Sequence, residues 1–114
     1  MVGRLDVAAW NFTLLNTLDA DPGLAIKASQ GVLHGWAVIN TAAAVTYVQI
    51  FDAAAVTDVT LGTTVPKGSI PLAASGVSVI MEADLQFATG IVLFATTTLT
   101  GNTGAAVQGM VLWA

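Results

Sequence analysis

The sequence predicts an all-β protein, an antiparallel β-sandwich or jelly roll of about eight short strands preceded by an N-terminal arm. Three observations lead there. Residues 28–51 and 85–114 contain no charged side chain and are rich in Val, Ile, Thr, Ala and Gly, the composition of strands joined by tight turns. Turn-forming residues recur at short intervals from Asp19 onward. No long helical period follows Leu18, which argues against a β-α-β design. At 114 residues the chain has room for one two-layer core.

Residues 1–18 are the least β-like. Leu5, Ala8, Ala9, Phe12 and Leu15 recur at helical spacing while Asn11, Thr13 and Asn16 interrupt, so this stretch reads as a short helix or an extended arm. Asp19, Asp21, Pro22 and Gly23 then form a turn, with Pro at a fixed φ and Gly free to take a positive one. The boundary between an arm (1–23) and a sandwich (24–114) is placed here. Strands are expected at 24–29, with Lys27 facing solvent, at 32–40 after the break at Gly31, and at 45–51 ending on Asp52. Residues 59–61 and 67–72 flank a turn at 62–66. A strand at 77–81 follows Ser75 and Gly76, and Phe87 leads through Gly90 into another at 91–97. A polar turn at 100–104 precedes the closing strand at 107–113.

The last two strands are apolar on both faces. One face of 107–113 holds Val107, Val111 and Trp113, the other Gln108, Met110 and Leu112; in 91–97 the faces hold Ile91, Leu93 and Ala95, and Val92, Phe94 and Thr96. A half-exposed strand alternates apolar with polar residues. Either a loop or the arm covers the second face, or a neighbouring subunit does. The charge deficit favours the subunit, and Trp36, Phe94, Met110, Leu112 and Trp113 are the expected interface residues.

Charged residues make up only 9% of the chain, against about 25% in ordinary globular proteins. The basic residues Arg4, Lys27 and Lys67 are scattered, so no clustered charge exists to neutralise phosphates, and a nucleic-acid partner is not expected. With no cysteine, disulfides, thiolate metal sites and a Cys nucleophile are excluded. The apolar window 31–51 is long enough to cross a bilayer. It contains His34, Asn40, Thr41, Thr46 and Gln49 and is broken by Gly31 and Gly35, which favours two strands over a membrane helix, so no membrane partner is expected. Arg4 and Asp6 interrupt the start, which lacks a signal-peptide apolar region.

No catalytic constellation assembles. His34, the sole histidine, lies in a strand pattern with no Ser-His-Asp or Cys-His partner set. Asp19 with Asp21, and Glu82 with Asp84, have a spacing that offers oxygens to Ca²⁺ but lack the rest of an EF-hand loop; together with Asp52 and Asp58 they read as solvated turn carboxylates. Gly101 and Gly104 lack the Lys and following helix of a phosphate loop. Trp10, Trp36 and Trp113 suit an apolar interface better than a sugar cleft in so short a chain. Neither enzymatic activity, a metal nor a cofactor is expected.

Within residues 26–98, several runs occur together: Lys27-Ala-Ser-Gln-Gly31, Leu33-His-Gly35, Asn40-Thr-Ala-Ala-Ala44, Tyr47-Val-Gln-Ile-Phe-Asp52, Gly62-Thr-Thr-Val-Pro66 and Phe87-Ala-Thr-Gly90-Ile91. In this order they resemble a family of short, mostly uncharacterised structural proteins of tailed bacteriophages and prophages. Two positions depart from that family, Gln49 where it usually has Lys and Thr64 where it has Asp, which suggests a drier surface there; residues 1–23 do not match. The resemblance implies a virion structural protein, first a capsid decoration (cement) protein on the outer capsid surface. Its implied partners are the major capsid protein and other copies of itself, as a homo-oligomer with a trimer preferred. The arm residues Trp10, Phe12, Leu14 and Leu15 would contact the capsid. The alternative is a head-fibre, neck or tail-tip module that binds a virion partner or a host surface glycan. A free lectin-like or enzymatic domain is a third class, and the charge deficit argues against it.

Overall fold

The computed structural model describes residues 10–114, so residues 1–9 of the expected arm lie outside the described residues. Among the described residues the strands are β1 (Asn11–Leu18), β2 (Leu24–Lys27), β3 (Gly31–Asn40), β4 (Thr46–Asp52), β5 (Gly68–Leu72), β6 (Val77–Ile80), β7 (Leu85–Phe87), β8 (Ile91–Thr96) and β9 (Val107–Trp113). The first sheet runs β1-β9-β3-β6, with β7 also on β3, and the second runs β2-β8-β4-β5. The pairs nest: β1 with β9, β2 with β8, β3 with β6 and β4 with β5 are all antiparallel. The chain thus forms two antiparallel layers packed as a sandwich. The all-β sandwich read from the sequence is the architecture that forms.

Period-two alternation selects the core. Leu33, Trp36 and Val38 of β3 share one core cluster with Val48 and Ile50 of β4, with Ile91, Leu93 and Ala95 of β8, and with Leu15, Val107 and Val111. The two largest polar side chains taken inside, Asn40 and Gln49, are both tied to loop backbone. The Asn40 side-chain amide donates to the carbonyls of Ala44 at 2.7 Å and Ala73 at 3.0 Å, and its Oδ1 accepts from the Ala42 N–H at 2.9 Å. Gln49 is fully buried; its Nε2 donates to Thr96 Oγ1 at 2.7 Å and to the Gly101 carbonyl at 3.1 Å. The departure at position 49 therefore lies in the interior, where it fastens the 97–104 loop, and does not dry the surface. Its Oε1 is buried without a partner.

Every residue of β8 is buried. One face enters the main core. The other, Val92 and Phe94, joins Phe51 and Ala53 beneath Val56, Val59 and Leu61. Phe51 and Phe94 meet edge to face with centroids 5.6 Å apart, a favoured aromatic geometry. The covering segment follows β4; it contains a 3-10 turn, Val56–Asp58, and a turn in which the Thr63 and Thr64 N–H groups donate to the Thr60 carbonyl. Residues 59–61, expected as a strand, belong to this cover. They bury their apolar side chains on the sheet without pairing to a strand.

The arm boundary at residue 23 also needs correction. Residues 11–15 pair one by one with 113–109 of β9, and Leu18 pairs with Val107 after an irregularity. Helical spacing gives way to a strand here because Leu15 and Leu18 fill the core while Phe12 and Leu14 face outward. A partner about a hundred residues away in sequence decides between the two, and no local period reports it.

Replacing Phe94 with Ala empties a buried site against the Phe51 ring and is expected to lower stability by about 3–5 kcal/mol. Val65→Ala, at a position 85% exposed, is expected to stay within about 0.5 kcal/mol of wild type. Urea unfolding midpoints of the two variants check both values.

Candidate assembly face

The two sheets treat their outer faces differently. Among the described residues the chain itself covers much of the second sheet, whereas nothing covers the first, whose outer face is apolar. Along β1 the outward residues are Phe12 and Leu14, 67% and 75% exposed; along β6 they are Val77 and Val79, 66% and 60% exposed. Strand register joins them into rows. Leu14 lies opposite Met110, Met110 opposite Ala37, and Ala37 opposite Val79. The next row runs from Gln108 through Ile39 to Val77.

These side chains bare on the order of 500 Å² of apolar surface, near the top of the range for the largest patch on a monomer. Among the described residues no Asp, Glu, Lys or Arg lies in β1, β3, β6 or β9. A groove of about 400 Å³ runs between Leu14 and Met110, floored by Ala37 and Gly109. Gly109, which has φ +138°, lets β9 lie close against β3; a Cβ there would run into the Ala37 carbonyl. A larger residue would both strain the backbone and push the strands apart.

The residues expected to act at surfaces divide sharply. Phe94 and Trp36 are buried in the chain's own packing, at 3% and 8% exposure, because the 53–67 cover and the core already occupy their faces. Leu112 points to the bare face but is 6% exposed. Beside it, the space a Gly35 side chain would fill is taken by the backbone of Ile80 and Met81. Trp113 packs against the core and donates from Nε1 to Thr13 Oγ1 at 2.8 Å. Of these five residues, Met110 alone lies half-buried on the open groove.

The arm residues divide in the same way. Leu15, 2% exposed, is core. Trp10 stacks on His34 with ring centroids 4.3 Å apart and planes 16° from parallel. Phe12 and Leu14 keep their surfaces free. Both belong to a strand edge that sequence periodicity did not reveal.

His34 is the extra residue where β3 bulges against β9, since Leu33 pairs with Trp113 and Gly35 with Leu112. Its Nδ1 lies 2.7 Å from Asp84 Oδ1. Together with the Trp10 stack, this contact pins the start of β1 to β3. Among the described residues no group of three or more His, Asp or Glu side chains is arranged to hold a metal ion. None of their helices is long and apolar enough to cross a membrane.

Asp52 ends β4 beside a cavity of about 430 Å³ whose lining includes Gln30, Lys67, Gln86 and Phe87. Its carboxylate is a loop clamp: Oδ1 accepts from the N–H groups of Thr89 at 2.8 Å and Gly90 at 3.2 Å, and Oδ2 from Ala88 at 3.1 Å. Partial burial pushes its pKa up, but the backbone amides, with Lys67 nearby, outweigh that and hold it below the ordinary value of 3.8.

No family model, curated protein or solved structure matches the chain.

A depressed folded-state pKa means that the contribution of Asp52 is complete above the unfolded value and fades as pH falls through the folded one. Asp52→Asn keeps the shape and loses the charge. Because Asp52 is exposed and its contacts are screened by water, the substitution is expected to lower stability at neutral pH by less than about 1 kcal/mol and to flatten the acid side of the stability profile. Urea midpoints at neutral and acidic pH test the sign.

Proposed function

We propose that this chain is a structural subunit of a virus particle, a capsid decoration protein that binds the outer shell of a tailed-phage head and stabilises it. The bare apolar face of the β1-β9-β3-β6 sheet carries this reading. A free monomer gains nothing from holding Phe12, Leu14, Val77 and Val79 in water on a sheet without charges, whereas a subunit buries them on assembly. The nested strand order supports the reading as well. We take it as that of a jelly roll, an architecture that viral capsid proteins share with lectins and cupins. That support is fold-level analogy, and the family resemblance of residues 26–98 adds the phage context.

The mechanism is linkage. A protein that binds only the assembled shell lowers the free energy of that state by its binding free energy, and expansion or rupture must first overcome it. Phe12 and Leu14, joined by Met110, are the shell-contact residues in this reading, in place of the four arm residues expected from the sequence. The cavity beside Asp52 favours a second reading, a neck, fibre or tail-tip module. The amides of Gln30 and Gln86 and the charges of Asp52 and Lys67 are groups that hydrogen-bond sugar hydroxyls.

Quantitative mass spectrometry of purified particles separates the two. Decoration requires copy numbers comparable with those of the major capsid protein. A handful per particle moves the protein to the neck, tail or fibre, and absence from the particle overturns the virion reading.

A further inference from the structure

Among the described residues, the sandwich has free edges at β1, β6 and β7 of the first sheet and at β2 and β5 of the second. An unpaired edge presents backbone N–H and C=O groups to any strand that approaches, and proteins blunt such edges with charge, proline, brevity or irregular register. Among the described residues, all but one of these edges carry charge, proline or brevity. β2 has four residues, ends on Lys27 and shifts register before it. β5 contains Pro71 and follows Lys67. β6 and β7 have four and three residues, with Glu82 and Asp84 between them.

β1 is different. It has eight residues, none of them charged and none proline. Residues 11–15 hold regular register against β9, so this stretch is straight enough to template a further strand. Its two outward side chains, Phe12 and Leu14, are the most exposed apolar residues of the bare face. The unguarded edge and the apolar face therefore meet at one strand.

We infer that β1 pairs antiparallel with β1 of a second copy, joining two sandwiches into one continuous sheet. This rests on the reading of the chain as an assembly subunit and names the partner and the contact. A pairing that uses the whole regular stretch, residues 11–15, has its two-fold axis at Thr13. That register sets Phe12 of each copy opposite Leu14 of the other, both on the outer face, so two aromatic–aliphatic pairs form where two exposed side chains stood.

Area favours the same arrangement. One bare face, on the order of 500 Å², is smaller than the roughly 800 Å² per partner that a stable interface buries. Edge pairing adds ladder hydrogen bonds and fuses two patches into one surface of about twice the size, a better match for a capsid shell. An isologous edge contact closes at two copies, so the unit is a dimer and not the trimer that the family resemblance implies.

The chain has no cysteine, which makes engineered crosslinks unambiguous. Full-length protein carrying both Phe12→Cys and Leu14→Cys should oxidise to a covalent dimer, while either substitution alone should not, because like positions then lie diagonally and too far apart. Unmodified protein should sediment at twice 11.6 kDa. Leu14→Lys should weaken pairing at least about tenfold by placing like charge at the edge. Val79→Lys, on the same face but the opposite edge, should leave the dimer intact. Both lysine positions are exposed, so unchanged unfolding midpoints confirm that the fold survives.

A dimer lost with Val79→Lys but kept with Leu14→Lys would replace edge pairing by face stacking and leave the subunit reading standing. A trimer, or crosslinking of both single-cysteine variants, would also overturn the pairing. A monomer at every concentration would overturn it too, and the particle copy number then decides the subunit reading separately.

Discussion

β8 is a six-residue strand with every side chain buried, and burying a strand on both sides demands material on both sides. The inner layer comes from the sheet built on β3 and β9. The outer layer cannot be another sheet in a chain this short, so the segment between β4 and β5 folds back and lays Val56, Val59 and Leu61 over Phe51 and Phe94. That requirement uses up the longest connection in the protein. Nothing comparable is left among the described residues to cover the opposite sheet, whose outer face stays apolar and open.

The distribution of charge follows from the same constraint. Among the described residues, the acidic and basic side chains sit in turns, in the cover or at the ends of strands: Asp19 and Asp21 before β2, Lys27 closing it, Asp52 closing β4, Asp58 in the cover, Lys67 before β5, Glu82 and Asp84 before β7. Lys27 and Lys67 each lie over an aromatic ring, Trp113 and Phe87, at 5.9 and 5.3 Å from the centroids. The few charges trim the rims and guard three of the four long sides of the sandwich. The fourth side, β1, and the face beside it carry none of them.

What was legible in the sequence follows the range of the interactions that decide it. Strands β3, β4, β8 and β9 are bounded by local turn chemistry and lie within a residue or so of where alternation and Gly, Asp or Ser breaks put them. β1 was obscured because Phe12 and Leu15 fit a helical period, and only pairing with β9 at the far end of the chain makes Leu14 an outward and Leu15 an inward residue. Residues 59–61 looked like a strand because a covering segment needs the same apolar residues. The doubly apolar faces of β8 and β9 look alike in the sequence but have separate causes in the fold. For Phe94 the cause is the chain's own cover, for Leu112 it is the backbone crossing at Gly35, and Met110 is what remains for an interface.

The claim on which the account stands is that the outer face of the β1-β9-β3-β6 sheet is covered when the protein works. Hydroxyl-radical footprinting read by mass spectrometry tests it side chain by side chain, on dilute protein and on protein within its assembly. Labelling of Phe12, Leu14 and Met110 should fall in the assembly, while Val65, exposed in the connection between β4 and β5, should label equally in both. If Phe12 and Leu14 label as strongly in the assembly as in the dilute protein, the face is not an interface and the account fails.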